Sequence, residues 1–318
     1  NFWDYDLALF GVDLPPNIGL TGRGLAGNMD RAADHFIADG IPLTEFQDSA
    51  PTTAYPYQLA TVIAGAADGT ELARTITVAP VSTEMHCDYC HQDGGVEDIA
   101  TGSVETNILT LHDRENAEDY PPGFGKLMDN RPVLCAACHA SNALGAPGKP
   151  DIPNLSKAMH SKHAEVENGG GDDGGGDDGG GLGAVLAEPF CYNCHPGPQT
   201  QCLRDVMSQR GMTCTDCHGS MTKVAQNPNP WLQEPRCDGC HKEPQYAQDQ
   251  PLYRMSTGHG GVRCSGCHDS PHAIAQSSQP NDAIKFIGWQ GHAGTLDTCT
   301  VCHATPPDGP GPHGITAP

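Results

Sequence analysis

Residues 87–91 read Cys-Asp-Tyr-Cys-His, and this pattern of two cysteines, two spacers and a histidine decides the fold. It occurs seven times and includes every one of the 15 cysteines except Cys202. The seven cysteine pairs are Cys87 and Cys90, Cys135 and Cys138, Cys191 and Cys194, Cys214 and Cys217, Cys237 and Cys240, Cys264 and Cys267, and Cys299 and Cys302. The histidines that follow them are His91, His139, His195, His218, His241, His268 and His303. Closely spaced pairs of this kind are not typical of a disulfide framework.

The CxxCH pattern is the attachment signature of c-type haem. The two cysteines form thioether bonds to the vinyl groups, and the histidine that follows becomes the proximal iron ligand. A lone CxxC pair can also be half of a zinc site, but a zinc site needs no histidine directly after the second cysteine. Seven such histidines in seven pairs predict seven covalently bound haems.

Nine histidines remain outside the motifs, which is close to the seven that would be needed as second axial ligands. We predict this role for His112, His160, His163, His259, His272 and His292. The seventh ligand is left open: His313 is the first choice, and His86, His35, Met207 and Met212 are the alternatives. A methionine ligand would give one haem a higher potential.

Local sequence adds detail to three of these positions. The run Ser156–His163 predicts a helix capped by Ser156, with His160 and His163 on one face serving two closely packed haems. Asp113, next to His112, is expected to orient a neighbouring ring. A second helix is predicted over residues 201–210 and ends at Gly211. It would hold Cys202 either as a buried thiol or as an intermolecular bridge.

The composition favours a fold with little regular structure. Only 37% of the residues are hydrophobic, 6% are aromatic, and there are 39 Gly and 27 Pro. We therefore predict a mostly irregular chain with short α-helices wrapped around a chain of haems, preceded by a small β-containing region. The expected domains are residues 1–82, a haem-free β-containing module or extended arm, and residues 83–318, which carry all seven haems. Within the first, a hairpin is predicted from Tyr57–Ile63 and Leu72–Val81 around Asp68-Gly69, and a short helix near Met29–Ala38.

One low-complexity run, Gly169–Gly181, contains only glycine and aspartate. It is either a flexible acidic linker or a Ca²⁺ loop. In the second case the calcium ligands are Asp172, Asp173, Asp177 and Asp178.

The formal net charge is −22, which disfavours binding to nucleic acid or to an anionic membrane. No apolar run approaches the length of a membrane span. The sequence begins without Met and without a signal peptide, from which we expect a processed form. Because c-type haem is attached outside the cytoplasm, we predict export to the cell surface or the extracellular space, with the periplasm as the alternative.

Several longer runs resemble the large multihaem c-type cytochromes of metal-reducing bacteria. They are Pro132–Asn142, Leu155–His163, Cys191–Arg204, His259–His268 and Ser270–Ile274, and the resemblance covers residues 86 to about 305. It implies bis-histidine haems in mutual contact, in parallel and T-shaped pairs, that carry electrons. Some members polymerise end to end as extracellular filaments. Head-to-tail self-association, other redox proteins and extracellular electron acceptors are therefore the expected partners.

An enzyme is the alternative to an electron carrier. A multihaem reductase or oxidase acting on a small nitrogen or sulfur compound would keep one haem with an open position. Pentahaem nitrite reductases replace one motif histidine with lysine, and that replacement is absent here. The acidic surface would also repel an oxyanion substrate. The sequence therefore favours a non-enzymatic electron carrier.

Overall fold

The computed structural model describes residues 2–33, 35–141, 144–167, 190–227 and 234–314. The helices are short and the strands form only small two-stranded sheets, while single 3-10 turns and irregular chain make up much of the rest. This confirms the coarse prediction of a mostly irregular chain with short helices and a β-containing N-terminal region. The predicted calcium ligands Asp172, Asp173, Asp177 and Asp178 lie outside the described residues.

The helices are α1 Asp6–Phe10, α2 Asp88–His91, α3 Val104–Asn116, α4 Leu155–Glu167, α5 Cys214–His218, α6 Met221–Gln226, α7 Cys264–His268 and α8 Ile284–Gln290. The strands are β1 Asp30–Arg31, β2 Phe36–Ile37, β3 Phe46–Gln47, β4 Ala50–Ala54, β5 Tyr57–Gly65 and β6 Glu71–Pro80. Each strand pairs with its neighbour in sequence, in the order β1-β2, β3-β4 and β5-β6, and all three pairs are antiparallel.

The chain divides into two compact units. The first unit comprises Asn1–Thr44 and Met85–His195, with motifs one to three; the second comprises Glu45–Glu84 and Pro196–Pro318, with motifs four to seven. This division cuts across the predicted boundary at residue 82. Of the residues before the first motif, Asn1–Thr44 belong to the first unit and Glu45–Glu84 to the second.

The predicted hairpin is confirmed as β5 and β6. Its register runs from Tyr57 opposite Pro80 to Ala64 opposite Ala73. Gly69 has a φ of 89°, a left-handed conformation that suits glycine at the tip of a turn. The Asp68 carboxylate accepts a hydrogen bond from the backbone N–H of Thr70 at 2.9 Å, which closes the turn.

The helix predicted near Met29–Ala38 is wrong. Residues 30–31 and 36–37 instead form β1 and β2, and the N–H of Ala32 donates to the carbonyl of His35 at 2.9 Å. The Arg23 guanidinium contacts Asp30 and also donates to the carbonyl of Asn28 at 2.8 Å. These contacts of Arg23 favour an extended conformation for residues 28–31. Helix propensity does not detect them, because Arg23 lies before the predicted helix.

The helix predicted over residues 201–210 is also mostly wrong. Only Ser208–Arg210 form a 3-10 turn, which ends as predicted at Gly211 with a φ of 86°. The residues before it bond to a distant segment: the N–H of Arg204 donates to the carbonyl of His272 at 2.9 Å, and that of Val206 to Ile274 at 3.1 Å. These long-range bonds use backbone groups that a helix would need.

The carboxylate of Glu84 connects two parts of the second unit. It accepts backbone N–H bonds from Thr200 at 2.8 Å, Gln199 at 3.1 Å and Gly197 at 3.2 Å. Burial alone would raise the pKa of Glu84, but these hydrogen bonds favour the ionised form and leave the pKa below its ordinary value. The carboxylate therefore contributes to stability only while it is ionised.

We expect Glu84→Gln to destabilise the second unit at pH 7 by on the order of 1 kcal/mol, because a charged acceptor is lost. The contribution of Glu84 is complete above the pKa of an unfolded glutamate, about 4.3. It is lost as the pH falls through the lower pKa of the folded carboxyl. Urea unfolding followed by circular dichroism should therefore separate wild type from variant at pH 7 and bring them together as the pH falls through the folded pKa of Glu84. A difference that does not change with pH would contradict this assignment.

Candidate haem sites

In six of the seven motifs, the structure places a second imidazole opposite the motif histidine. In the first unit the ring pairs and their centroid separations are His91 and His163 at 6.3 Å, His139 and His112 at 6.2 Å, and His195 and His160 at 6.0 Å. In the second unit they are His218 and His272 at 6.0 Å, His268 and His313 at 5.8 Å, and His303 and His259 at 5.9 Å.

These separations match two imidazoles on opposite sides of one metal ion. A bond from a metal to an imidazole nitrogen is about 2 Å, so two such bonds plus about 1 Å from each nitrogen to its ring centre give about 6 Å. Rings that stack directly lie closer, as His86 and Tyr89 do at 4.4 Å. Because unliganded aromatic rings can also contact at about 6 Å, the direction of the ring nitrogens is the second criterion.

In five of these rings the Nδ1 atom is already engaged in a hydrogen bond. Nδ1 of His139, His160 and His163 lies 2.7 Å from the backbone carbonyl oxygens of Pro153, Ser156 and Met159, respectively. Nδ1 of His313 lies 2.8 Å from the carbonyl oxygen of Gln245, and Nδ1 of His112 lies 2.7 Å from the Tyr120 hydroxyl. A carbonyl can only accept, and the Tyr120 hydroxyl already donates to Asp113, so Nδ1 carries the proton in these rings and Nε2 keeps the lone pair that could bind a metal.

Helix α4 supplies two of the second imidazoles. His160 lies beside the third motif and His163 beside the first, which is the arrangement that their spacing on one helix face predicts. The predicted cap is wrong, however. The side chain of Asn154 accepts the N–H of Lys157 at 2.8 Å and caps the helix, whereas Ser156 lies inside the first turn.

Helix α3 supplies His112, and the side chain next to it helps to orient the ring. Asp113 is buried, and its carboxylate accepts the N–H groups of Leu127 at 2.8 Å and Met128 at 3.0 Å. It also accepts the Tyr120 hydroxyl at 2.9 Å, and Tyr120 contacts Nδ1 of His112. The predicted orienting role of Asp113 therefore acts through Tyr120.

We expect Tyr120→Phe to raise the reduction potential of the haem held by the second motif. The hydroxyl accepts the Nδ1 proton of His112, which makes the imidazole a stronger donor and favours the ferric state. A spectroscopic redox titration of the whole chain would measure the shift. Tyr5→Phe is the control, because Tyr5 is exposed and lies outside the haem motifs. Equal titration curves for Tyr120→Phe and wild type would contradict the expectation.

Cysteines from different motifs lie close to one another. Burial raises the pKa of Cys194, and nearby charges on Cys87 and Cys90 raise it further. In the second unit, burial likewise raises the pKa of Cys217, Cys237 and Cys267. A cysteine of the next motif raises each pKa further: Cys240 acts on Cys217, Cys264 on Cys237, and Cys302 on Cys267. Motifs four to seven are therefore spatial neighbours in the order of the sequence, and the first and third motifs are neighbours in the first unit.

The fifth motif differs from the other six. Within the described part of the second unit, the ring beside His241 is the phenol of Tyr246, with centroids 5.7 Å apart, and no imidazole accompanies it. Tyr246 also contacts the ring of His313 at 5.1 Å, which belongs to the pair of the sixth motif. His241 itself is exposed.

Five predicted or alternative ligands have other surroundings. For His292, Nδ1 lies 3.1 Å from the carbonyl oxygen of Ala293, and Nε2 lies 3.3 Å from both Thr298 Oγ1 and Asp297 Oδ1. The structure therefore does not bring His292 to a motif histidine. His86 stacks on Tyr89, and His35 is exposed in the turn between β1 and β2. Met207 and Met212 are half-buried beside the Ser208–Arg210 turn.

The site residues fit haem better than a metal held by protein alone. Among the described residues no group of three or more His, Cys, Asp or Glu side chains converges on one point. A haem iron needs only two protein ligands, because the porphyrin supplies the others. The structure brings imidazoles together in twos, and each pair lies at a CxxCH motif.

No helix in the described ranges is both long and apolar enough to cross a membrane. Comparisons with models of protein families, with curated proteins and with solved structures find no match to this chain.

Proposed function

We propose that the chain is a heptahaem c-type cytochrome that carries electrons. The single observation that supports this most is the set of six imidazole pairs at 5.8–6.3 Å, each formed at a CxxCH motif. In the proposal, the cysteines of each motif bind one haem covalently and its histidine is the proximal ligand. The bound haem supplies a one-electron iron couple.

A carrier is favoured over an enzyme because two imidazoles at one iron leave no position for a substrate. Six of the seven motifs have such a pair. The proximity of cysteines from successive motifs four to seven supports transfer from site to site. The net charge of −22 keeps such a particle hydrated and soluble, which suits the proposed extracellular or cell-surface location.

The test is a direct count of haem and iron in the purified protein. The pyridine haemochrome spectrum and the intact mass should show seven c-type haems per chain. A variant with Cys87 and Cys90 replaced by serine should show six, which checks that the count comes from the motifs. A protein that contains zinc, or no haem, would overturn the proposal.

Self-association is a second candidate property, and the fifth motif is the observation that favours it. His241 is exposed and has no imidazole partner among the described residues of its unit. We propose that a histidine of a second copy completes this site. His35 is the candidate donor, because it is exposed and lies outside the haem motifs.

This second proposal predicts a spin state that depends on concentration. Dilute protein should contain one high-spin haem, which binds carbon monoxide when reduced. Concentrated protein should contain none and should sediment as an assembly. His35→Ala should keep the high-spin haem at all concentrations. A low-spin fifth haem in a dispersed monomer would exclude the second copy as the donor, and turnover of nitrite or sulfite at the high-spin haem would favour the enzyme alternative.

A further inference from the structure

The unpaired cysteine lies beside one of the six imidazole pairs. Sγ of Cys202 is 3.8 Å from Nδ1 of His272, the ring opposite His218 at the fourth motif. If His272 binds iron through Nε2, its Nδ1 carries a proton and donates it toward the sulfur. Sulfur is a weak hydrogen-bond acceptor. This inference rests on the proposed haem function.

The position of Cys202 is fixed by contacts on both sides. Its N–H donates to the carbonyl of Pro196 at 3.1 Å, and its own carbonyl accepts Nη1 of Arg204 at 3.2 Å. Arg204 is buried and paired with Asp282, and its N–H bonds to the carbonyl of His272. The backbone of the cysteine and that of the histidine are therefore held together independently of the contact between their side chains.

The neighbouring atom of Nδ1 differs among the second imidazoles. His112, His160, His163 and His313 each have an oxygen atom at 2.7–2.8 Å. A strong acceptor makes the imidazole a better donor to iron and favours the ferric state, which lowers the reduction potential. A sulfur at 3.8 Å does this much less.

We propose that Cys202 is a positioning residue that keeps the fourth haem at a higher reduction potential than the haems whose second imidazole donates to oxygen. The sulfur contacts the His272 ring but accepts only a weak hydrogen bond from its Nδ1–H group. At that potential the fourth haem would accept electrons more readily than the haems of motifs one to three, whose second imidazoles, His163, His112 and His160, all donate to oxygen.

The experiment compares Cys202→Ser with Cys202→Ala in the full chain. Serine introduces an oxygen acceptor, so one of the seven components of a redox titration should shift to lower potential, and the electron paramagnetic resonance signal of one low-spin haem should change. Alanine removes the acceptor, so the same component should shift slightly to higher potential. Shifts in opposite directions distinguish tuning from a structural disturbance, which would move both variants the same way.

The outcomes separate the two proposals. Seven haems with all seven components unchanged in Cys202→Ser would overturn the role of Cys202 and leave the electron carrier intact. Shifts of the same sign in both variants would also overturn it. Absence of haem from the wild-type protein would overturn the function itself.

Discussion

If the chain binds seven haems as proposed, replacing His163 with alanine is expected to convert one of them from the low-spin to the high-spin form. His163 is the second imidazole at the first motif, so its loss leaves His91 as the single axial ligand there. His160→Ala should do the same at the third motif, and the double variant should contain two high-spin haems. Electron paramagnetic resonance of the oxidised protein measures the number, and carbon monoxide binding to the reduced protein checks it.

His292→Ala is the matched control. Sequence alone predicts that His292 is a ligand, whereas the structure engages its two nitrogens with Ala293, Thr298 and Asp297. We therefore expect no new high-spin haem in this variant. Six-coordinate haem in His163→Ala, or high-spin haem in His292→Ala, would show that the pairing of imidazoles seen here is not the pairing in the loaded protein.

The second large effect is expected from the ion pair between Arg204 and Asp282. Nε and Nη2 of Arg204 contact the two carboxylate oxygens of Asp282 at 2.7 and 3.0 Å, and the side chains are only 6% and 4% exposed. The guanidinium carbon also lies 5.1 Å from the centre of the Tyr57 ring. Asp282→Ala leaves a buried cation without its partner, so we expect a loss of about 3–5 kcal/mol in the free energy of unfolding.

Chemical denaturation followed by circular dichroism measures this loss. Glu71→Gln is the control, because Glu71 and Arg74 form an ion pair of the same type on the exposed hairpin. Solvent screens that pair, so its removal should leave the midpoint unchanged. Equal midpoints for Asp282→Ala and Glu71→Gln would contradict the importance of burial. Because the pair fixes the Cys202–Arg204 segment, Asp282→Ala should also disturb the spectrum of the fourth haem.

The sequence predicts some parts of this molecule well because they depend on local spacing. The CxxCH motifs, the single helix face that carries His160 and His163, and the hairpin around Gly69 each involve residues a few positions apart. The matching of second imidazoles to motifs is different. His313 lies beside His268 and not beside His303, which is nearer in the sequence. His259 and His272 flank the sixth motif, but they lie beside the histidines of the seventh and fourth motifs, respectively. Such pairings depend on how irregular segments cross, which residue periodicity does not describe.

The errors have a similar origin. The helix predicted over residues 201–210 fails because Arg204 and Val206 bond to a segment about 70 residues away. The sequence also does not reveal that Nε2 of His292 lies near Thr298 and Asp297, because this contact depends on side-chain geometry. The predicted boundary at residue 82 follows from the position of the first cysteine, and a sequence pattern does not reveal contacts such as those of Glu84 with residues 197–200.

Helix α4 carries the imidazoles of His160 and His163, the proposed ligands of two haems, three residues apart on one rigid element. The helix fixes the separation of the two rings. Movement of the surrounding irregular chain cannot increase that separation without stretching the backbone hydrogen bonds of the helix. The rate of electron tunnelling falls steeply with distance. Electron transfer between the haems proposed at the first and third motifs should therefore keep its rate when heating loosens the surrounding irregular chain.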